Sequence, residues 1–141
     1  MPKTETGEIF TKAIWEIFRL NGLLTIEGDQ LAKEFGLSSA RWKVMGAIVR
    51  TEGPLTVPQI GRKIGQSRQA VQRLVNAMKK DGLLLVEKNP NHKTSSLIGL
   101  TEKGFCIYQS LYIKQLSWAQ EGARKLSRDE LELTLTTLKK Y

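Results

Sequence analysis

Between Thr56 and Leu100 the spacing of apolar residues switches from helical to extended, and few folds accommodate that switch. Thr56 precedes Val57-Pro58, a helix start with proline in the first turn. Ile60 and Ile64 share one face of this segment, and Gly65 ends it. Ser67 stands where a longer helix needs its N-cap, and the spacing predicts helix to about Asp81, closed by Gly82. Within it Val71, Leu74, Val75 and Met78 form a stripe for burial. Gln69, Gln72, Arg73, Asn76 and Lys80 form the opposite stripe. Then Leu83–Lys88 reads as a strand, Asn89-Pro90-Asn91 as a turn and Ser96–Leu100 as a second strand. Two helices joined by a tight turn and followed directly by a hairpin constitute a winged helix-turn-helix.

The flanks are helical. From Glu8 to Leu24 apolar residues recur at Ile9, Phe10, Ala13, Ile14, Ile17, Phe18, Leu20, Leu23 and Leu24, a face broader than one side of a small domain covers. A second helix is expected over Gln30–Phe35, stopped by Gly36. Ser38 or Ser39 then caps a third from Ala40 to about Arg50, broken at Glu52-Gly53-Pro54. Thr101 starts another, and Ser127-Arg128-Asp129-Glu130 has capping-box spacing ahead of Leu131, Leu135 and Leu138. The expected fold class is mainly α with a small β-hairpin wing. A winged helix-turn-helix core over residues 37–103 is flanked by dimerisation helices over 8–35 and 104–141, within a single domain spanning 1–141. The apolar terminal segments are expected to pack on each other and, because the surplus exceeds what one chain covers, to interlock with those of a second copy in an isologous homodimer. The alternative is a monomer with a long helix folded over its own core.

The net charge of +8 is unevenly distributed. Residues 41–103 hold twelve Lys or Arg against four acids, while the flanks hold ten of each, so the whole surplus belongs to the middle. Clustered positive charge flanked by neutral segments is the electrostatic footprint expected of a phosphate-binding surface.

Other functions find little support. One Cys and one His exclude a disulfide framework and argue against a Cys/His zinc site. Gly99–Gly104 has the glycine spacing of a phosphate loop, but Phe105 follows where Lys is required. The single histidine, His92, has no nucleophile patterned around it. Neither an enzyme, a metal nor a cofactor is expected. The longest charge-free stretch, Gly104–Ile113, is ten residues, too short to span a membrane. With no apolar signal-like core near Met1, a cytoplasmic location is expected. Cys106, between Phe105 and Ile107, reads as a small buried hydrophobe; an oxidant-sensing role would require exposure.

The expected partner is double-stranded DNA. Arg68, Gln69, Gln72 and Arg73 lie near the start of the second helix, where side chains reach base edges; no acid stands between Ser67 and Lys80. Arginine bonds bidentately to guanine and glutamine to adenine, each worth about 1–3 kcal/mol of discrimination. Arg73 is the leading candidate. Lys88, His92 and Lys93 surround the hairpin tip, within reach of phosphate or the minor groove. Thr56 and Ser67 hydroxyls add candidate phosphate anchors, although capping alone accounts for them.

The runs Gly36-Leu37-Ser38-Ser39-Ala40-Arg41-Trp42-Lys43-Val44, Leu55-Thr56-Val57-Pro58-Gln59-Ile60-Gly61, Ser67-Arg68-Gln69-Ala70-Val71-Gln72-Arg73-Leu74-Val75 and Leu100-Thr101-Glu102-Lys103-Gly104 together resemble the multiple antibiotic resistance regulator (MarR) family of winged-helix repressors. The resemblance implies a triangular homodimer on a pseudo-palindromic operator, usually released by a small-molecule effector. Two alternatives to such a repressor are an oxidant-responsive one using Cys106 and a nonspecific, architectural nucleic-acid binder. The resemblance also implies an effector pocket between the winged-helix unit and the dimer helices, near Trp15, Phe18, Trp42 and Trp118, residues whose simpler reading is core packing. One departure is local. The family's wing usually reads Asp-Pro-x-Asp-x-Arg, whereas Asn89-Pro90-Asn91-His92-Lys93-Thr94 puts Thr94 at the arginine position and leaves backbone contact to Lys93 and Lys88.

Overall fold

The computed structural model describes all 141 residues as six helices, one short 3-10 turn and one two-stranded hairpin. Helix α1 (Glu5–Ala32) is capped by Thr4, whose hydroxyl accepts from the Gly7 amide at 3.0 Å, with Glu5 and Glu8 placed favourably in its first turn. It continues without interruption to Ala32 and into the 3-10 turn Lys33–Phe35, which Gly36 ends at φ 71°. The sequence reading of two helices, Glu8–Leu24 and Gln30–Phe35, is therefore corrected to one. Between those two spans lies Gly28, which is buried where α1 crosses helix α2 (Ser39–Arg50). A Cβ on Gly28 would stand 2.9 Å from that of Ser39, so this glycine serves close approach rather than a break.

The same crossing settles which serine begins α2. Ser38 is the N-cap, accepting from the Arg41 amide at 3.2 Å. Ser39 is buried, and its amide and hydroxyl donate to Asp29 Oδ1 at 2.7 and 2.8 Å. An acid of α1 thus satisfies an orphan N–H at the start of α2 and fixes the angle between the two helices.

Helix α2 runs through the centre of the core. Val44, Met45, Ala47 and Ile48 pack in one cluster with Ile60 of α3 (Val57–Ile64), with Val71, Val75 and Met78 of α4 (Arg68–Lys80), and with Tyr108 and Leu111 of α5 (Glu102–Ala123). Strands β1 (Leu84–Glu87) and β2 (Leu97–Leu100) pair antiparallel, with Leu84 opposite Leu100 and Glu87 opposite Leu97. Leu55 adds a bridge to Ile98, its amide donating to the Ile98 carbonyl at 3.0 Å and the Ile98 amide returning a bond at 2.7 Å. The hairpin is thereby stitched to the segment leading into α3.

Helix α6 (Arg128–Lys139) opens on Ser127 with both halves of the expected capping box, yet buries none of its residues. Within one chain, the terminal segments meet in polar contacts only between α1 with its 3-10 extension and α5. Trp118 Nε1 donates to Glu27 at 3.2 Å, Lys114 donates to the Leu31 carbonyl at 3.4 Å, and Lys114 pairs with Glu34. The expected packing of the terminal segments on each other is thus confined to this end, and most of the apolar face of α1 stays exposed. No helix is long and apolar enough to cross a membrane.

Candidate nucleic-acid interface

Local caps and one close contact hold α3 and α4 together. The Thr56 hydroxyl accepts from the Gln59 amide at 3.3 Å while the Gln59 side chain accepts from the Thr56 amide at 2.9 Å, a reciprocal capping box with Pro58 in the first turn. Gly65 ends α3 at φ 71°, and a two-residue link reaches the N-cap Ser67, which accepts from Ala70 at 3.1 Å. A Cβ on Gly61 would stand 2.7 Å from the Gln66 carbonyl oxygen, so the tight turn between the two helices requires glycine there.

Burial of Val71, Val75 and Met78 turns the opposite stripe of α4 to solvent, and Arg68, Gln69, Gln72 and Arg73 are all exposed. Arg68, Gln69 and Gln72 line one groove with Val57 and Pro58 of α3 and Val86, Thr94, Ser95, Ser96 and Ile98 of the hairpin, enclosing about 430 Å³. No acid lines it. Arg73 lies outside this groove on the same exposed face, and the Gln72 amide donates to Asn76 Oδ1 at 2.8 Å, leaving the Gln72 carbonyl oxygen free. Lys88, His92 and Lys93 project into solvent around the wing loop, outside the groove, with His92 Nδ1 and Thr94 Oγ1 3.2 Å apart. Thr56 is half-buried beside the groove residue Val57, and Ser67 is exposed with its hydroxyl proton available to an acceptor. Ser95 and Ser96 had no sequence signal as site residues, because only tertiary packing brings the wing loop into one groove with Arg68.

One ion pair lies within the middle segment and, taking one base and one acid, leaves its surplus unchanged. Asp81 pairs with Arg41 at 2.7 Å, and its carbonyl accepts from Lys103.

A second, larger cavity of about 800 Å³ separates α2 and α3 from α1, α5 and the end of α6. Trp42 and Trp118 stand on its wall with Tyr108 and Tyr112. Trp15 and Phe18 do not line it. They contact each other edge to face at 5.7 Å on an exposed stretch of α1. Nine residues separate Trp15 from Leu24, the first α1 residue on the wall, which is about 13 Å of helix. Cys106 is exposed on α5, correcting the expectation of a buried hydrophobe: the buried face there is taken by Gly104, Tyr108 and Leu111.

Comparison with known proteins agrees with this geometry. A family model described as the MarR family matches residues 35–93. The uncharacterized protein Rv2011c of Mycobacterium tuberculosis is 32% identical over 135 residues, covering 91% of this chain and 93% of its own. The S. aureus MepR–DNA complex superposes with a TM-score of 0.77 at 18% identity, over 89% of this chain and 92% of that one. The organohalide-sensing transcriptional regulator RdhR, in its 2,4-dichlorophenol-bound form, superposes with a TM-score of 0.78 at 20% identity, over 99% and 84% of the two chains.

Proposed function

Because the chain belongs to the MarR family of DNA-binding transcriptional regulators, which are not enzymes, we propose that it is a homodimeric repressor. In this reading two copies of the α4 face hold a pseudo-palindromic operator, and a small molecule in the 800 Å³ junction cavity releases it. The observation carrying the DNA part is the acid-free groove that joins Arg68, Gln69 and Gln72 to the hairpin. Residues 37–103 act as the DNA-binding core, and residues 8–35 and 104–141 as the dimerisation helices, in a cytoplasmic protein. Arg73, with Arg68, Gln69 and Gln72, reads base edges. Thr56, Ser67, Lys88, His92 and Lys93 hold the backbone. The MepR–DNA complex supports the docking mode, and the ligand-bound RdhR structure supports an effector in this fold. Of the four aromatic candidates, Trp42 and Trp118 are the ones an effector in the cavity would touch.

Selection of bound duplexes from a random pool tests the proposal. A palindromic consensus is expected, and Arg73→Ala should lose roughly 1–3 kcal/mol of specific binding and relax one position per half-site. Enrichment of no consensus, with uniform weakening by Arg73→Ala, identifies an architectural binder instead. With no arginine on the wing, Lys93→Ala should reduce the salt dependence of binding and leave sequence preference intact. The exposure of Cys106 favours one further reading, an oxidant-responsive repressor; peroxide that releases the wild type but not Cys106→Ser would establish it.

A further inference from the structure

One base-reading candidate of α4 is already held in place. The Gln72 Nε2 amide donates to Asn76 Oδ1 at 2.8 Å, across one turn of the exposed face. Of the residues three and four positions from Gln72, namely Arg68, Gln69, Val75 and Asn76, only Gln69 and Asn76 have a side-chain acceptor, and no acid stands between Ser67 and Lys80. Asn76 takes the bond, in an order that helices favour, with glutamine first and the acceptor four residues on. Gln69 differs. Four residues beyond it stands Arg73, which has donors and no acceptor, so no contact of this kind fixes the Gln69 amide.

The bond decides what Gln72 can offer to a base. A glutamine amide has two N–H donors and a carbonyl oxygen. With one donor given to Asn76, the second donor and the oxygen remain, and that adjacent donor and acceptor match N7 and N6 of adenine. While Asn76 accepts, the amide is also held one way round. Turned over, it would set its oxygen against Asn76 Oδ1, an acceptor against an acceptor. We infer that Asn76 is a positioning residue for base reading: it holds Gln72 with its free donor and oxygen available to the groove, and so makes Gln72 the reader of one adenine in each half-site. The inference rests on the operator reading proposed above and assigns one base to one of its residues. The gain is preorganisation. An unheld glutamine gives up rotamer freedom when it meets a base, whereas a held one has given it up already, which favours the matching base over the others by about three- to tenfold.

The test uses the full chain and the duplex selected from a random pool, with each half-site position then changed in turn and binding followed by fluorescence anisotropy. The position at which Gln72→Ala abolishes preference is the one Gln72 reads. An A·T pair is expected there, favoured over C·G by about tenfold or more. Asn76→Ala should cut that preference about three- to tenfold at that position alone, with circular dichroism and binding to an unselected duplex unchanged. Asn76→Asp, whose carboxylate can only accept, should keep the preference of the wild type even though its charge weakens binding to every duplex. Four results overturn the inference while the wild type still selects a consensus. They are a preference untouched by Asn76→Ala, a preference lost in Asn76→Asp as well, a C·G pair at the Gln72 position, and a loss in Asn76→Ala that falls on a different position, which would make Asn76 a reader in its own right. A consensus with no position sensitive to Gln72→Ala overturns it too and leaves reading to Arg68, Gln69 and Arg73. Selection of no consensus by the wild type removes the operator reading itself and this inference with it.

Discussion

Helices α4 and α6 carry apolar stripes of similar kind and meet opposite fates. On α4, Val71, Val75 and Met78 are at most 1% exposed, whereas on α6 Leu131, Leu133, Leu135 and Leu138 are 40–69% exposed. The stripe of α4 has α2, α3 and the hairpin to pack on, and that of α6 has no counterpart in its own chain. Along α1, Phe10, Trp15 and Phe18 are likewise 56–67% exposed. Exposed apolar area of this extent on two helices exceeds what a soluble monomer ordinarily carries. The winged-helix core is self-sufficient in burial, whereas in the proposed homodimer a second copy covers the terminal helices. In that proposal DNA binding and dimerisation draw on different reservoirs of stability, one internal and one dependent on concentration.

The sharpest way to break that contrast is to remove equivalent apolar groups from both sides of it. Met45 is fully buried, so Met45→Ala is expected to cost about 2–5 kcal/mol in denaturant unfolding at every protein concentration. Leu133, 69% exposed, should behave differently. Leu133→Ala is expected to change the unfolding midpoint little at low concentration and to raise the dimer dissociation constant measured by sedimentation. A Leu133→Ala penalty independent of concentration would mean that α6 is stabilised within its own chain.

Glycine substitutions give the next largest effect and again divide the regions. Gly61→Ala drives a methyl to 2.7 Å from the Gln66 carbonyl oxygen, and a loss of about 1–3 kcal/mol is expected, together with weakened DNA binding as the turn into α4 opens. Gly122 sits inside α5 with nothing within 4 Å of where its Cβ would be. Gly122→Ala is expected to stabilise by about 0.5–1 kcal/mol, the helix-propensity difference. Thermal unfolding of the two variants reads both signs. Destabilisation by Gly122→Ala would place a partner surface against that position.

What the sequence disclosed divides along the same physical line. Thr56, Ser67, Thr101 and Ser127 each accept from an amide three residues on, so these four helix starts were legible, whereas the Thr4 cap of α1 was missed and Ser38 was left level with Ser39. The exposed face of α4 was legible too, because helical period alone opposes Gln69 and Gln72 to Val71 and Val75. The role of Gly28 was not: its reason for being glycine is Ser39, on another helix. The cavity was equally hidden. Lys63, Trp118 and Lys139 share a wall only through tertiary packing, and no periodicity relates them. Two of the four aromatic candidates miss the wall for that reason, since Trp15 and Phe18 lie on the correct helix but nine and six positions short of Leu24.

The smallest effect expected is a dependence on pH, which separates a long-range carboxylate contact from a local one. Asp29 is held below its ordinary value chiefly by the Ser39 amide and then by the Ser39 hydroxyl, with Lys43 contributing less. Glu130 is lowered in the same way by the Ser127 amide and hydroxyl. A carboxyl whose pKa is lower folded than unfolded contributes stability that is complete above the unfolded value and is lost as pH falls through the folded one. For Asp29 the unfolded value is 3.8, so its contribution should decline only below that pH. The Ser39 contact spans ten residues and disappears on unfolding, whereas the Ser127–Glu130 box spans three and forms in a transient helical turn of the unfolded chain as well. Urea midpoints compared between pH 3 and pH 6 are therefore expected to lose part of their acid-side slope in Asp29→Asn and to keep nearly all of it in Glu130→Gln. An unchanged slope in Asp29→Asn would show that the α1–α2 crossing holds without its charge, leaving Gly28 and Ser39 packing alone to set the angle between α1 and α2.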